Sequence, residues 1–133
     1  MIQDDNEFID EYGARYSSDG KTLLRVPEDF AGEYTIREGT ETIGNAAFER
    51  CSELTGTLFP DSVTAIETMV FDRCHSLKNV TIPKGVTSIE LGTFEGCSSL
   101  KSIDIPQNVT RIGEYAFDLY VSLKGIEIPN KAL

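Results

Sequence analysis

Three cysteines and one histidine are the residues whose types and spacing come nearest to a chemical site. Cys51, Cys74 and Cys97 are 23 residues apart, and His75 directly follows Cys74. Thiolate and imidazole groups are zinc ligands, and a thiol activated by an imidazole is a nucleophile. A structural zinc site needs four converging ligands, and a catalytic triad needs a base placed against its nucleophile. No motif supplies such partners for His75, so we predict no catalytic residue, no metal site and no cofactor.

The equal spacing of the cysteines indicates a structural column instead. Tyr120 takes the same place 23 residues after Cys97, and serine takes the place of His75 at positions 52 and 98. Free cysteine behaves as a small buried apolar residue, so we expect the thiols to pack in the core and His75 to lie in an exposed turn. Metal and disulfide roles are the alternatives, and the odd number of cysteines leaves at least one thiol unpaired.

The elements that position these residues repeat along the chain. Prolines fall at Pro60, Pro83, Pro106 and Pro129, each 23 residues after the last, and residues 83–105 share ten of 23 positions with residues 106–128. A fixed period of this length indicates a solenoid, in which stacked units bury apolar ladders and function is usually binding. The apolar columns are Val63, Val86, Val109; Ile43, Ile66, Ile89, Ile112; Phe48, Phe71, Phe94, Phe117; Leu54, Leu77, Leu100, Leu123; and Phe59, Ile82, Ile105, Ile128.

The repeat units divide the chain into two parts. Residues 37–59 form a degenerate first unit, which gives four near-complete units and a truncated fifth over 37–133. Residues 1–36 form an N-terminal tail with a hairpin predicted over 16–27, where Asp19-Gly20 lies between apolar-rich flanks.

Each unit combines short strands with a compact connection. Residues 77–82 alternate apolar Val80 and Ile82 with polar neighbours, the period of a half-buried strand. Residues 86–89 are rich in β-branched side chains and predict a second small strand. A turn or short helical segment then carries Phe94 and Leu100 inward. The predicted fold class is an α/β-type solenoid, mainly β, with short strands and short helical turns.

The motifs Ile-Pro, Val-Thr-x-Ile, Ala-Phe, Cys-x-x-Leu and Leu-x-x-Ile-x-Ile-Pro, read over residues 37–129, resemble those of the BspA-like leucine-rich repeat family. The resemblance implies a right-handed leucine-rich repeat superhelix with an N-terminal capping hairpin at residues 16–27. It also implies a secreted or cell-surface protein, since characterised members of the family are adhesins that bind host or bacterial proteins.

Composition excludes two classes of partner. The net charge is −10, and residues 1–36 contribute −6 of it from nine acids and three bases. A nucleic-acid site needs clustered bases, and no such cluster is present, so we predict no nucleic-acid partner. No apolar run approaches the roughly 20 residues that span a bilayer, so we predict no membrane insertion.

The first residues are acidic rather than basic and apolar, so the chain as given shows no secretion signal. Because members of the resembled family usually carry one, we expect that Met1 begins an excised piece or that an upstream region has been removed. A cytoplasmic protein is the alternative.

Outward residues of the predicted strands form the candidate partner-binding surface. They make three rows: a basic row, a polar row that ends at Gly125, and a row that turns acidic. Paired carboxylates on such an open face lack the dry pocket that separates their pKa values, so a catalytic pair is not predicted. The alternative to recognition is that these charges only solvate the sheet. The rows are Lys78, Lys101 and Lys124; Asn79 and Ser102; and Thr81, Asp104 and Glu127.

The C-terminal edge is the second candidate surface. Asp118-Leu119-Tyr120-Val121 places three apolar residues in a turn, and the chain stops at Leu133 as a fifth coil would begin. We expect end-to-end self-association through Leu119, Tyr120, Val121 and Leu133, because unpaired strand edges recruit strands. Closure of the core by the same residues is the alternative.

The repeats predict a non-catalytic protein-binding module, and the family resemblance implies that it belongs to a secreted or surface adhesin. Its partner would be an extracellular-matrix or cell-surface protein bound through the repeat face. The alternative is a structural spacer or self-assembly unit that acts through the ends of the solenoid.

Overall fold

The apolar columns stack into a solenoid of about four turns, built mainly from short β-strands. A computed structural model describes residues 7–117. The strands within that range are β1 Phe8–Ile9, β2 Arg15–Tyr16, β3 Thr22–Arg25, β4 Gly32–Thr35, β5 Thr42–Ile43, β6 Leu54–Leu58, β7 Ala65–Ile66, β8 Asn79–Thr81, β9 Ser88–Ile89, β10 Ser102–Asp104 and β11 Arg111–Ile112.

Parallel strands run along two sides of the solenoid. On one side β4 pairs with β6, β8 pairs with β10, and Lys78 N–H donates to Thr55 C=O at 3.1 Å to join β6 to β8. We call the outer surface of these four strands the strand face. On the other side β3, β5 and β7 pair in parallel, and β9 pairs with β11. We call that outer surface the second face. The strands predicted over residues 77–82 and 86–89 are confirmed by β8 and β9.

The N-terminal segment closes the first coil. Strands β1, β2 and β3 pair antiparallel, and Gly20 at φ 73° turns the chain between β2 and β3. Beneath this sheet the hydroxyls of Tyr16 and Tyr34 lie 2.7 Å apart, and Arg37 N–H donates to the Tyr16 hydroxyl at 3.1 Å. Because β3 and β4 pair in parallel with β5 and β6, the coil geometry already begins upstream of residue 37. The division of the chain at residues 36 and 37 stays a prediction.

The core follows the repeat. Leu54, Leu77 and Leu100 have no exposed surface, and neither do the central phenylalanines of the turn segments. Phe48 stacks on Phe71 with ring centroids 5.0 Å apart, and Phe71 stacks on Phe94 at 5.4 Å. The rings of successive coils therefore form a continuous column along the solenoid axis.

The prediction of short helical turns is wrong for the described residues, which contain no helix. In the segments 44–53, 67–76 and 90–99, which we call the turn corner, backbone N–H groups bond in two alternating directions. Phe48 N–H donates to Val70 C=O of the next coil at 2.9 Å, whereas Glu49 N–H donates to Ala46 C=O of its own coil at 3.0 Å. An α-helix instead directs every N–H to the residue four positions earlier.

Two residues per coil with positive φ enforce this alternation. Ala46 and Arg50 have φ of 58° and 61°, and Met69 and Arg73 repeat them with φ of 55° and 60°. The third coil uses glycine at both equivalent positions, 92 and 96, with φ of 62° and 76°. A left-handed residue every four positions interrupts any right-handed helix, so the corner is a series of turns.

Candidate interaction face

The basic row of the strand face lies where β8 and β10 begin. Lys78 and Lys101 are both exposed, and Lys101 N–H donates to Lys78 C=O at 2.9 Å, which holds the two residues side by side. Within residues 7–117 neither lysine takes part in a salt bridge; the pairs found there are Arg15–Glu7, Arg25–Glu28 and Arg111–Glu90. In the described range the two lysines thus lie exposed and side by side.

The polar row and the acidic row are tied by hydrogen bonds between neighbouring coils. The parallel register places Asn79 opposite Ser102 and Thr81 opposite Asp104, as the repeat predicts. Ser102 Oγ donates to Asn79 Oδ1 at 2.6 Å, and Thr81 Oγ1 donates to Asp104 Oδ2 at 3.3 Å. These bonds orient the side chains before any partner arrives. Lys124, Gly125 and Glu127, predicted to continue the rows, lie outside the described residues.

The strand face carries an exposed apolar residue in the first full coil, where later coils have a polar one. Leu58 is 50% exposed at the position that Thr81 and Asp104 occupy in later coils. Beside it Gly56 lies opposite Glu33, and a Cβ at Gly56 would come within 3.4 Å of the Glu33 carboxylate. The strand face thus carries an exposed apolar side chain next to the polar and basic rows.

The cysteine column is structural. All three thiols are free and buried, and each donates to a backbone carbonyl of the preceding coil: Cys74 Sγ to Phe48 at 3.0 Å and Cys97 Sγ to Phe71 at 3.1 Å. Burial raises the pKa of the Cys51 thiol to about 11 and that of Cys97 to about 12. A protonated, buried thiol is a poor nucleophile and a poor metal ligand.

Other ionisable groups of residues 7–117 do not assemble into a centre. His75 is exposed, in the turn where the sequence places it. Asp72 is 3% exposed with no partner for Oδ1, and burial raises the pKa of its carboxyl despite the opposing charge of Arg73. No group of three or more His, Cys, Asp or Glu residues in the described part of the chain is arranged to hold a metal ion.

The second face carries a groove that the repeat pattern did not predict. Its volume is about 460 Å³, and it runs across β7 and β9 toward the turn corner. Its signal in the sequence is a small residue, Ala65 or Ser88, between a threonine and the buried isoleucine of the unit. The lining residues are Asn45, Thr64, Ala65, Ile66, Glu67, Thr68, Thr87, Ser88 and Glu90.

The predicted end-to-end interface, formed by Leu119, Tyr120, Val121 and Leu133, lies outside the described residues. Between residues 7 and 117 no helix is long and apolar enough to cross a membrane.

Comparison with solved structures shows where this architecture recurs. A leucine-rich repeat protein from Bacteroides ovatus ATCC 8483 is 28% identical, with a TM-score of 0.73, and the match covers 98% of this chain and 36% of that one. The pneumococcal vaccine antigen PcpA is 23% identical, with a TM-score of 0.88 and coverage of 98% and 32%. The T. pallidum leucine-rich repeat protein TpLRR is 20% identical, with a TM-score of 0.63 and coverage of 84% and 63%. The chain thus spans about a third of the first two structures.

Sequence comparison agrees with the structural one. The model of the BspA type leucine-rich repeat region matches residues 31–133 in six copies. A comparison with curated proteins found no match.

Proposed function

The chain belongs to the BspA-type leucine-rich repeat family, and we propose that it is a non-catalytic protein-binding module that engages its partner through the strand face. We place it in a secreted or cell-surface adhesin whose partner is an extracellular-matrix or cell-surface protein. The family resemblance supports the location, and the geometry of the strand face supports the mode of binding.

The observation that carries the proposal is the side-by-side placement of Lys78 and Lys101. Adjacent strands lie about 4.8 Å apart, so the two charged side chains leave the sheet close together. Like charges directly opposite each other destabilise a sheet, and neither lysine has a salt-bridge partner within the described range. A carboxylate of the partner would offset the repulsion between the two ammonium groups and would itself be attracted to both.

The neighbouring rows would orient that partner. Lys101 directly precedes β10 and Asp104 ends it, and both are exposed, so the charge changes sign along the strand. Opposite charges arranged in rows favour one docking orientation and penalise the reverse one. Leu58, half exposed on the adjoining coil, offers an apolar contact beside the charged rows.

Surface plasmon resonance tests the proposal, with a panel of extracellular-matrix and cell-surface proteins at physiological salt. We expect a saturable interaction that the double variant Lys78→Ala/Lys101→Ala weakens at least tenfold. The matched control is Lys21→Ala/Lys84→Ala, which removes the same charge from two other exposed lysines and leaves the affinity unchanged.

Two outcomes would overturn strand-face binding. Equal weakening in both double variants would show that net charge, rather than the face, governs the interaction. Absence of binding from a folded monomer would favour the spacer, which acts through the ends of the solenoid.

Sedimentation at high concentration tests the predicted end-to-end association, and a strict monomer rules that association out.

A further inference from the structure

We propose that the groove on the second face is a separate site for a primary ammonium group, supplied by a lysine side chain of a protein segment. This site lies on the opposite set of strands from the strand face and shares no residue with it. The groove has a volume of about 460 Å³, enough for one long side chain and its backbone.

The groove exists because the first residues of two neighbouring strands are small. Ala65 on β7 and Ser88 on β9 form its floor with Ile66. Threonines at positions 64 and 87 directly precede β7 and β9, and glutamates at positions 67 and 90 directly follow them, so the two residue types line the groove at opposite ends of these strands. The repeat places each pair one coil apart, so the two pairs run parallel across the coils.

Several lining groups are already held by bonds within the protein. Asn45 Oδ1 accepts hydrogen bonds from Thr68 N–H at 3.1 Å and from Thr68 Oγ1 at 3.0 Å. Ser88 Oγ donates to the Glu90 carboxylate, which also pairs with Arg111 at 3.2 Å. These contacts fix one end of the groove and neutralise the Glu90 charge.

The remaining polar side chains of the lining have no side-chain partner among residues 7–117. The carboxylate of Glu67 and the hydroxyls of Thr64 and Thr87 make no side-chain hydrogen bond or ion pair with any other residue that the structure describes. All three residues are exposed. One charged acceptor, after β7, therefore lines the same groove as uncharged hydroxyl oxygens before β7 and β9.

An ammonium group matches this set of acceptors. It carries three donors and no acceptor, and its compact charge suits ligands distributed around a point. A guanidinium is a planar fork that prefers two oxygens of one carboxylate, so acceptors on separate residues of a groove favour lysine. The four-carbon stem of lysine would lie on Ala65 and Ile66, and the net charge of −10 attracts cationic segments.

NMR titration of the ¹⁵N-labelled chain tests this inference with acetyl-Gly-Lys-Gly-amide as the probe. We expect saturable shifts confined to residues 64–68 and 87–90. Glu67→Gln should weaken binding about tenfold, whereas the control Glu53→Gln, which removes the same charge from an exposed acid away from the groove, should leave it unchanged. Ala65→Gln, which fills the floor from an outward position, should abolish the shifts while the remaining spectrum stays folded.

Further probes define the results that would overturn the inference. The Nε-acetyl-lysine tripeptide retains the stem without the charge and should not bind, so binding of equal strength excludes ammonium recognition. Tighter binding of acetyl-Gly-Arg-Gly-amide excludes the preference for lysine. Shifts with glucosamine but not with the lysine tripeptide would assign the groove to an amino sugar instead of a protein segment. These measurements do not involve Lys78 or Lys101, so they test the groove independently of binding through the strand face.

Discussion

The stacked phenylalanine column makes Phe71 the most informative position for a stability measurement. Phe71 is fully buried, stacks face to face on both Phe48 and Phe94, and meets Phe59 edge-on with centroids 6.3 Å apart. Phe71→Leu retains a bulky apolar side chain and removes these ring contacts. Aromatic pairs contribute roughly 0.5–1.5 kcal/mol each beyond burial, so losing both stacked pairs should lower the free energy of unfolding by about 1–3 kcal/mol.

Urea denaturation followed by far-ultraviolet circular dichroism measures this loss, because the chain has no tryptophan to report by fluorescence. The denaturation midpoint should fall with little change in the slope. Phe8→Leu is the matched control: Phe8 is 40% exposed and has a single tilted ring contact, with Tyr16, beside the Arg37 guanidinium, so the same substitution should cost less than Phe71→Leu.

A double-mutant cycle of Phe71→Leu with Phe94→Leu isolates the stacking energy from burial. We expect a coupling free energy of about 0.5–1.5 kcal/mol between the two rings. A coupling near zero, or equal losses at Phe71 and Phe8, would refute the argument that ring stacking joins the coils.

Three other predictions concern buried groups and close backbone contacts. Asp72→Asn should stabilise the chain at pH 7 by about 1 kcal/mol, since it removes a buried carboxylate with an unpartnered oxygen. Because the folded-state pKa of Asp72 is raised, the wild type recovers stability as the pH falls through that value. The difference in the free energy of unfolding between Asp72→Asn and the wild type should therefore vanish below the unfolded pKa of about 3.9. Urea titrations at pH 7 and below that pKa measure it. All three thiols should resist Ellman's reagent in the native state at pH 8 and react together on denaturation, since burial raises the pKa of Cys97 to about 12; rapid native labelling would contradict their burial. Gly113→Ala should cost more than about 2 kcal/mol, because the new Cβ would lie 2.6 Å from the Leu91 nitrogen; Gly39→Ala meets no atom within 4 Å, and a calorimetric comparison should show a smaller loss from its positive φ alone.

The apolar columns were predictable from the sequence because each column needs only a bulky side chain every 23 residues. The same period fixed the register of the strand face, so Asn79 and Ser102 lie opposite each other as predicted. Burial and register follow from spacing, and neither depends on the detailed path of the backbone between the strands.

The turn corner was not predictable in the same way. Ala46, Met69 and Arg73 are good helix formers by intrinsic preference, yet all three have positive φ. Bonds to the next coil override that preference, and a single sequence shows it only at Gly92 and Gly96, whose four-residue spacing was a usable signal. The groove was not predictable from the apolar columns, because those columns are defined by bulky side chains and the groove arises from small ones.

The alternating hydrogen bonds of the turn corner give the array an electric dipole along the axis of the solenoid. Within residues 46–50, 69–73 and 92–94 of the turn corner, the N–H groups that leave their coil point toward the next coil, as in Ala46 to Thr68 and Phe94 to Ala116. These aligned peptide dipoles place positive potential toward the C-terminal side and negative potential toward the N-terminal side, the reverse of an α-helix. In the turn corner a coil therefore offers N–H donors to the coil after it and carbonyl acceptors to the coil before it. A coil grafted in reversed order would meet like groups there, so head-to-tail addition is the arrangement that keeps these hydrogen bonds.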